Sequence, residues 1–285
     1  MTVTPQAAPP PQAAPYPPQA PAHDSWPGLL RAEWTKIRSV RSTIWSLLAF
    51  VVVAVGFSAL LATVLSNDWN SPSGGVGARV QLHTDPTSTI YGAGFSLGQL
   101  ALCVLGVLVM TSEYTTGAIR SSLLAVPRRL PMLAAKGAVL AVLDLIASAV
   151  TVFAVFFVFT SIISSHISIT LGTPGVLRGT IGGILYLTVI GLFAMAIGGL
   201  IRHTAGAVST VIGIVFVAPI LLQLIPGTIA NHIYGYWPSV AGQLAGQTTE
   251  QPGNVLSPWE GLGVFCLWTV AALVACGAVL AHRDA

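Results

Sequence analysis

"GAVLAVLDLIASAVTVFAVFFVFTSII", residues 137–163, holds a single charged side chain, Asp144, in 27 positions. As an α-helix it would rise about 40 Å, more than the roughly 30 Å hydrocarbon core of a bilayer. Lipid offers a backbone no hydrogen bonds, so only helices and closed barrels cross it, and barrel strands are about 10 residues of alternating polarity. The stretch reads as a transmembrane helix. Composition extends that reading to the chain: 54% of residues are hydrophobic, 7% are charged, and the mean hydropathy is +0.79. Soluble domains do not reach these values.

Five further stretches qualify as spans: residues 43–65, 90–111, 180–201, 204–225 and 261–281. The sequence therefore predicts an all-α polytopic membrane protein of six transmembrane helices. Of twelve basic residues, ten flank one side of these spans: Arg31, Lys36, Arg38 and Arg41; Arg120, Arg128, Arg129 and Lys136; Arg202; and Arg283. Arg79 and Arg178 fall on the other. The positive-inside rule then predicts cytoplasmic N- and C-termini, and the expected location is the plasma membrane. It also makes residues 112–136 a cytoplasmic loop. Residues 66–89 and 226–260 become external connections rich in Gly, Pro, Ser and Asn. Within the second of these, "IYGYWPSVAGQLAG" is expected to form a short helix dipping into the outer leaflet, with Tyr234, Tyr236 and Trp237 at the headgroup boundary and Pro238 preventing a full span.

Residues 1–27 contain nine of the nineteen prolines and no apolar core of a signal peptide. They predict a disordered or polyproline-like cytoplasmic tail, with residues 28–285 as the membrane domain. Just after the tail, "PGLLRAEWTKIRSVRSTIW" places Trp26, Leu30, Trp34, Ile37, Val40 and Ile44 at helical spacing, with Arg31, Thr35, Arg38 and Ser42 opposite. Such a helix belongs in the membrane interface. Glu33 falls inside its apolar sector, where an unpaired carboxylate is costly, and calls for a cation such as Lys36, Arg41 or one from a partner protein.

Asp144 is the most expensive residue of the chain, since a mid-span Asp costs roughly 2.5–3.5 kcal/mol on insertion scales. It shares a helix face with Gly137, Ala141, Ser148 and Thr151. Ser96, Gln99, Cys103 and Gly106 form a similar stripe on the second span. Both stripes turn away from lipid, either to pack helices through small residues or to line a hydrated path. Gly94 and Gly98 make a GxxxG pair. The three cysteines lie in apolar runs, which gives no disulfide or metal pattern. No G-x-x-x-x-G-K-[ST] motif, Ser/His/Asp set or H-E-x-x-H occurs in the spans, so no catalyst is expected in this chain.

Six spans, an amphipathic lead-in and a charged loop after span two resemble the membrane (permease) subunit of ATP-binding cassette type-2 transporters, actinobacterial members above all. "LLRAEWTKIRSVRSTIWSLL", "TSEYTTGAIRSSLLAVPRRLPMLAAK", and "YWPSVAGQL" followed by "LSPWEGLGVFCLWTVAALVACGAVLAHRDA" carry the likeness over residues 29–285. The resemblance implies an elbow helix containing Glu33, Trp34, Lys36, Arg38 and Arg41. It implies a coupling surface of Glu113, Tyr114, Gly117, Arg120, Arg128 and Arg129 against a separate ATPase subunit. It also implies an outer re-entrant element over residues 226–260. ATP and Mg would be held by the partner, with no cofactor in this chain, and a second permease subunit would complete the transporter, with export the expected direction. Ser96, Gln99, Asp144, Ser148 and Thr151 are candidates for the path; Asp144 is not a feature of the family. The competing reading is a non-transport membrane sensor or anchor that recruits a cytoplasmic partner.

Overall fold

The computed structural model describes residues 26–70, 76–115, 129–251 and 253–282. Helices make up the regular structure among them, and six are long and apolar enough to cross a membrane. The protein is a multi-pass membrane protein.

The lead-in helix α1 spans Trp26–Ser39, so its first two residues belong to the helix and not to the tail. A break at Val40, extended at φ −85° and ψ 116°, turns the chain into the first span, α2, Arg41–Asn67. Arg41 is thus the first residue of α2 rather than part of the elbow. A short helix α3, Val76–Thr84, lies where the sequence suggested only a solvated connection. The second span follows in α4, Pro86–Thr115, and the third in α5, Arg129–Ile163. α5 begins eight residues before the expected start at 137, which turns Lys136 from a loop cation into a helical side chain buried to 1% exposure.

The fourth span is α6, Val176–Ile201, and Arg202 closes it in a left-handed conformation, φ 60°, that reverses the chain. α7, Thr204–Ile212, runs through a π-helical turn, Gly213–Val217, into α8, Ala218–Gln223, and together these form the fifth span. Two short helices, α9, Thr228–Gly235, and α10, Pro238–Gln243, with a 3-10 turn, Leu244–Gly246, occupy the stretch where the sequence predicts one short re-entrant helix, and are called the re-entrant piece below. Pro238 starts α10 at a position where a missing N–H is harmless, as well as ending the path of α9. The sixth span is α11, Pro258–His282.

α4 and α6 are the buried centre, and α2, the fifth span and α11 face outward over most of their length. Lipid tails are as apolar as leucine, so close contact through small residues must hold the helices together. Gly191 and Gly106 provide it between α6 and α4: a Cβ on Gly106 would overlap the Gly191 carbonyl oxygen. The GxxxG pair packs inside the chain, with Gly94 against the Ala54 backbone and Gly98 against Ala54 and Phe50 of α2. The predicted stripe of α4 follows the same rule. Gln99, Cys103 and Gly106 are buried against the bundle, while Ser96 is exposed.

The re-entrant piece docks by completing a flaw in the fifth span. In the π turn the Ala218 N–H reaches back to the Gly213 carbonyl, and Pro219 has no N–H with which to continue the ladder. The Ile214 carbonyl instead accepts from Trp237 Nε1 at 2.7 Å, and the Val215 carbonyl accepts from Ser239 Oγ at 3.0 Å. Trp237 therefore serves as an internal donor, whereas Tyr236 keeps the exposed position suited to a headgroup boundary.

Candidate functional site

The chain has two lysines, and α1, α4 and α5 bring both together. Lys136 Nζ, on α5, donates to Glu33 Oε2 at 2.6 Å and to Glu113 Oε1 at 2.8 Å. Lys36 Nζ donates to Glu33 Oε1 at 2.8 Å and lies 3.2 Å from Glu113 Oε1. Two carboxylates and two ammoniums alternate, so the cluster is formally neutral. Side-chain exposure is 2% for Lys136, 4% for Glu33, 9% for Glu113 and 41% for Lys36. Three members are thus enclosed and one faces out.

The local sequence explains the assembly. On α1 Trp26, Leu30 and Trp34 stay exposed, while Glu33 and Ile37, at one edge of the same apolar sector, are buried in the protein. Glu33 and Lys36 are one helical turn apart, the spacing at which side chains meet. Burial pushes the Glu33 carboxyl up, but the Lys136 charge and the hydrogen bonds from Lys136 and Lys36 outweigh it. The group rests below the ordinary carboxylate value of 4.5. Burial pulls the Lys36 ammonium down, and its hydrogen bond to Glu33 with the fields of Glu113 and Glu33 raises it above the ordinary 10.5. Both shifts favour the charged forms of Glu33 and Lys36. Glu113 Oε2 has no hydrogen-bond partner. Beside the cluster opens a cavity of about 320 Å³, with Lys36, Ser39, Ser42, Thr43, Ser112 and Glu113 on its walls.

Glu33 finds the expected cation in Lys36, and a stronger one in Lys136, which sequence reading had assigned to topology. The missed signal was the need itself: a carboxylate in an apolar sector and a lone lysine at the start of a span answer each other. Glu113, named with the coupling surface, is a buried tie between α4, α1 and α5. Tyr114 sits under the Arg202 guanidinium, 5.3 Å from ring centre to Cζ, and Arg202 Nη2 donates to the Val279 carbonyl at 3.2 Å. Gly117, Arg120 and Arg128 lie outside the described residues, and Arg129 is the first residue of α5. Trp34 and Arg38 are exposed on α1.

At the opposite end of the bundle a second polar assembly fastens the re-entrant piece. Asp85 caps α4, taking the Ser88 N–H at 3.3 Å and the Ser88 hydroxyl at 2.5 Å, and it also accepts the Thr248 N–H at 2.7 Å. Arg178 Nη2 donates to the Gln247 and Thr248 carbonyls, each at 2.8 Å. Asp85 followed by Pro86 and, three residues on, Ser88 is a helix-start signature that would have placed α4 correctly from sequence. A buried chain continues inward: Tyr186 donates to Gln99 Oε1 at 2.5 Å, and Gln243 Nε2 lies 3.3 Å from the Tyr186 hydroxyl.

Of the path candidates, Asp144, Ser148 and Thr151 are completely buried on α5. Thr151 donates to the Ala147 carbonyl at 2.8 Å, but neither Asp144 oxygen nor the Ser148 hydroxyl has a partner. Asp144 lies against Gly191, where a Cβ would overlap its Oδ2. Fold and sites define a multi-pass membrane protein in which, among the described residues, the Asp, Glu, Lys and Arg side chains are concentrated at the two ends of the bundle, with Asp144 between them. Compared with known protein families and with curated proteins, the chain gives no match.

Proposed function

We propose that the chain is the permease subunit of an ATP-binding cassette exporter, in the cell membrane with both termini cytoplasmic, paired with a second permease and driven by a separate ATPase. The observation that carries this reading is the neutral ion cluster. It binds the interfacial helix α1 to the end of α4 and the start of α5, the two helices that flank residues 116–128. A push on that segment, or on α1, is then delivered to two spans at once, because breaking one pair strands a buried charge. ATPase closure on this end would tilt α4 and α5 together, and α4 runs through the bundle centre to the polar end that carries the re-entrant piece. Gly117, Arg120, Arg128 and Arg129 are the candidates for direct contact with the ATPase, while Glu113 works behind them.

The test is coexpression with the P-loop ATPase encoded nearest to this gene. Copurification that is weakened by reversing the charges at Arg128 and Arg129, with loss of ATP-dependent transport, is the expected result. Absence of any ATPase partner, with function abolished by deleting residues 1–27, would favour the sensor or anchor reading instead.

A further inference from the structure

Between α4 and the re-entrant piece lies a cleft of about 180 Å³. Its walls include Ser88, Tyr91, Ser96, Gln99, Gln243 and Gln247, and among the described residues no charged side chain lines it. The nearby charges are engaged elsewhere: Asp85 holds Ser88 and Thr248, and Arg178 holds the Gln247 and Thr248 carbonyls. The floor is built rather than incidental. Gln99 is 1% exposed and fixed by Tyr186, and Tyr91 is 3% exposed and donates to Thr180 Oγ1 at 2.8 Å. One wall is aromatic, with the rings of Tyr91 and Phe95 stacked at 4.7 Å.

Amides and hydroxyls both donate and accept, which matches a ligand whose own groups do both. A charged headgroup would lose its hydration here and gain no counter-charge. The apolar ring face suits the carbon side of a sugar or polyol. Position adds a further constraint: Ser88 lies in the first turn of α4, and Ser96 and Gln99 lie about two and three turns further along the same spanning helix, so the cleft reaches from the helix end into the span. Gly92 and Ser96 are exposed, which leaves it open from the side. The volume admits a headgroup and not a drug-sized molecule, for which pockets of about 300–1,000 Å³ are usual.

We propose that this cleft binds the neutral, hydroxyl-bearing headgroup of an amphiphile, of the alkyl glycoside or glycolipid class. It deepens the permease reading by naming a substrate class, and rests on that reading only for the transport role.

The experiment uses the full chain alone in phosphatidylcholine nanodiscs. Octyl β-glucoside, octyltrimethylammonium and octyl sulfate are titrated below solubilising concentrations and counted by native mass spectrometry. The glucoside should bind saturably and the two ions should not compete with it. Gln243→Ala, at an exposed position, should weaken glucoside binding about tenfold, the loss expected for a good hydrogen bond. Ser96→Lys should lower glucoside binding and create octyl sulfate binding. Equal affinity for the three probes would assign binding to the alkyl chain alone and overturn the proposal. So would glucoside binding unchanged in both variants. No ATPase enters this assay, so binding without an ATPase partner sinks the permease reading alone, and an ATPase partner without binding sinks this inference alone.

Discussion

Replacing Lys136 with Leu removes the central cation of the ion cluster and leaves Glu33 and Glu113 facing each other, with Lys36 as their shared counter-ion. Both carboxylates are at most 9% exposed, and Lys136 contacts them at 2.6 and 2.8 Å. Removing one partner of such a buried pair costs roughly 3–5 kcal/mol, because the stranded charge keeps its desolvation penalty. Lys36 is 41% exposed, so water replaces much of what Lys36→Leu removes, and about 1 kcal/mol or less is expected. The double variant Glu113→Leu with Lys136→Leu leaves a balanced Glu33 and Lys36 pair. It should recover at least half of the single-variant loss, since apolar replacement of a whole buried pair is often neutral. Cys103 and Cys276 are buried and unpaired, so a thiol-reactive fluorophore added during heating in mild detergent reads the unfolding midpoint. The order expected is wild type, Lys36→Leu, double variant, Lys136→Leu, with the last lower than wild type by roughly ten degrees. Equal midpoints for Lys36→Leu and Lys136→Leu, or a double variant as unstable as Lys136→Leu, would refute the cluster as the tie between α1, α4 and α5.

The same cluster fixes a pH response. Glu33 is held below 4.5, so its contribution is present above that value and is lost as pH falls through its folded-state pKa. Lys36 is held above 10.5, so its contribution is complete below that value and is lost as pH rises through its folded-state pKa. The unfolding midpoint should therefore carry no slope from Glu33 or Lys36 between about pH 5 and pH 10, and the acid fall should shrink in Glu33→Gln. Gly191→Ala should destabilise by about 1–3 kcal/mol by forcing a methyl onto Asp144 Oδ2, and Asp144→Ala in the same chain should restore the midpoint. Trp237→Phe leaves the Ile214 carbonyl without its donor and should cost about 1–3 kcal/mol, seen as faster hydrogen exchange over residues 236–247.

Hydropathy made the spans legible because lipid imposes one rule on every helix that crosses it. Their ends were less legible, since the end of an apolar run is not the end of a helix. α5 continues through Lys136 because the ammonium has partners, and α4 begins at Pro86 because Asp85 caps it. The fate of the small and polar stripes depended on which neighbour each met, which periodicity does not encode. Gln99 meets Tyr186, and Asp144 meets Gly191. Glu33 shows the reverse case, in which a local conflict between a carboxylate and an apolar face announced a long-range contact 103 residues away. Its solution was written at a position whose charge looked already explained.

The third span carries two buried ionisable groups, and the contrast between them separates support from function. Lys136 is satisfied by two carboxylates, so its burial is explained by the contacts it makes. Asp144, about 12 Å deeper along the same helix, has no partner for either oxygen, and Ser148 one turn further has none for its hydroxyl. An unsatisfied buried polar group costs about 1–3 kcal/mol, so Asp144→Ala removes a burden that offsets part of the small cavity it leaves. A residue kept only for packing would give up nothing in that exchange. If the permease reading holds, transport should fall in Asp144→Ala while the unfolding midpoint stays close to wild type. Full transport in that variant would leave Asp144 without a role in the path, and would move the search to the polar cleft at the re-entrant end.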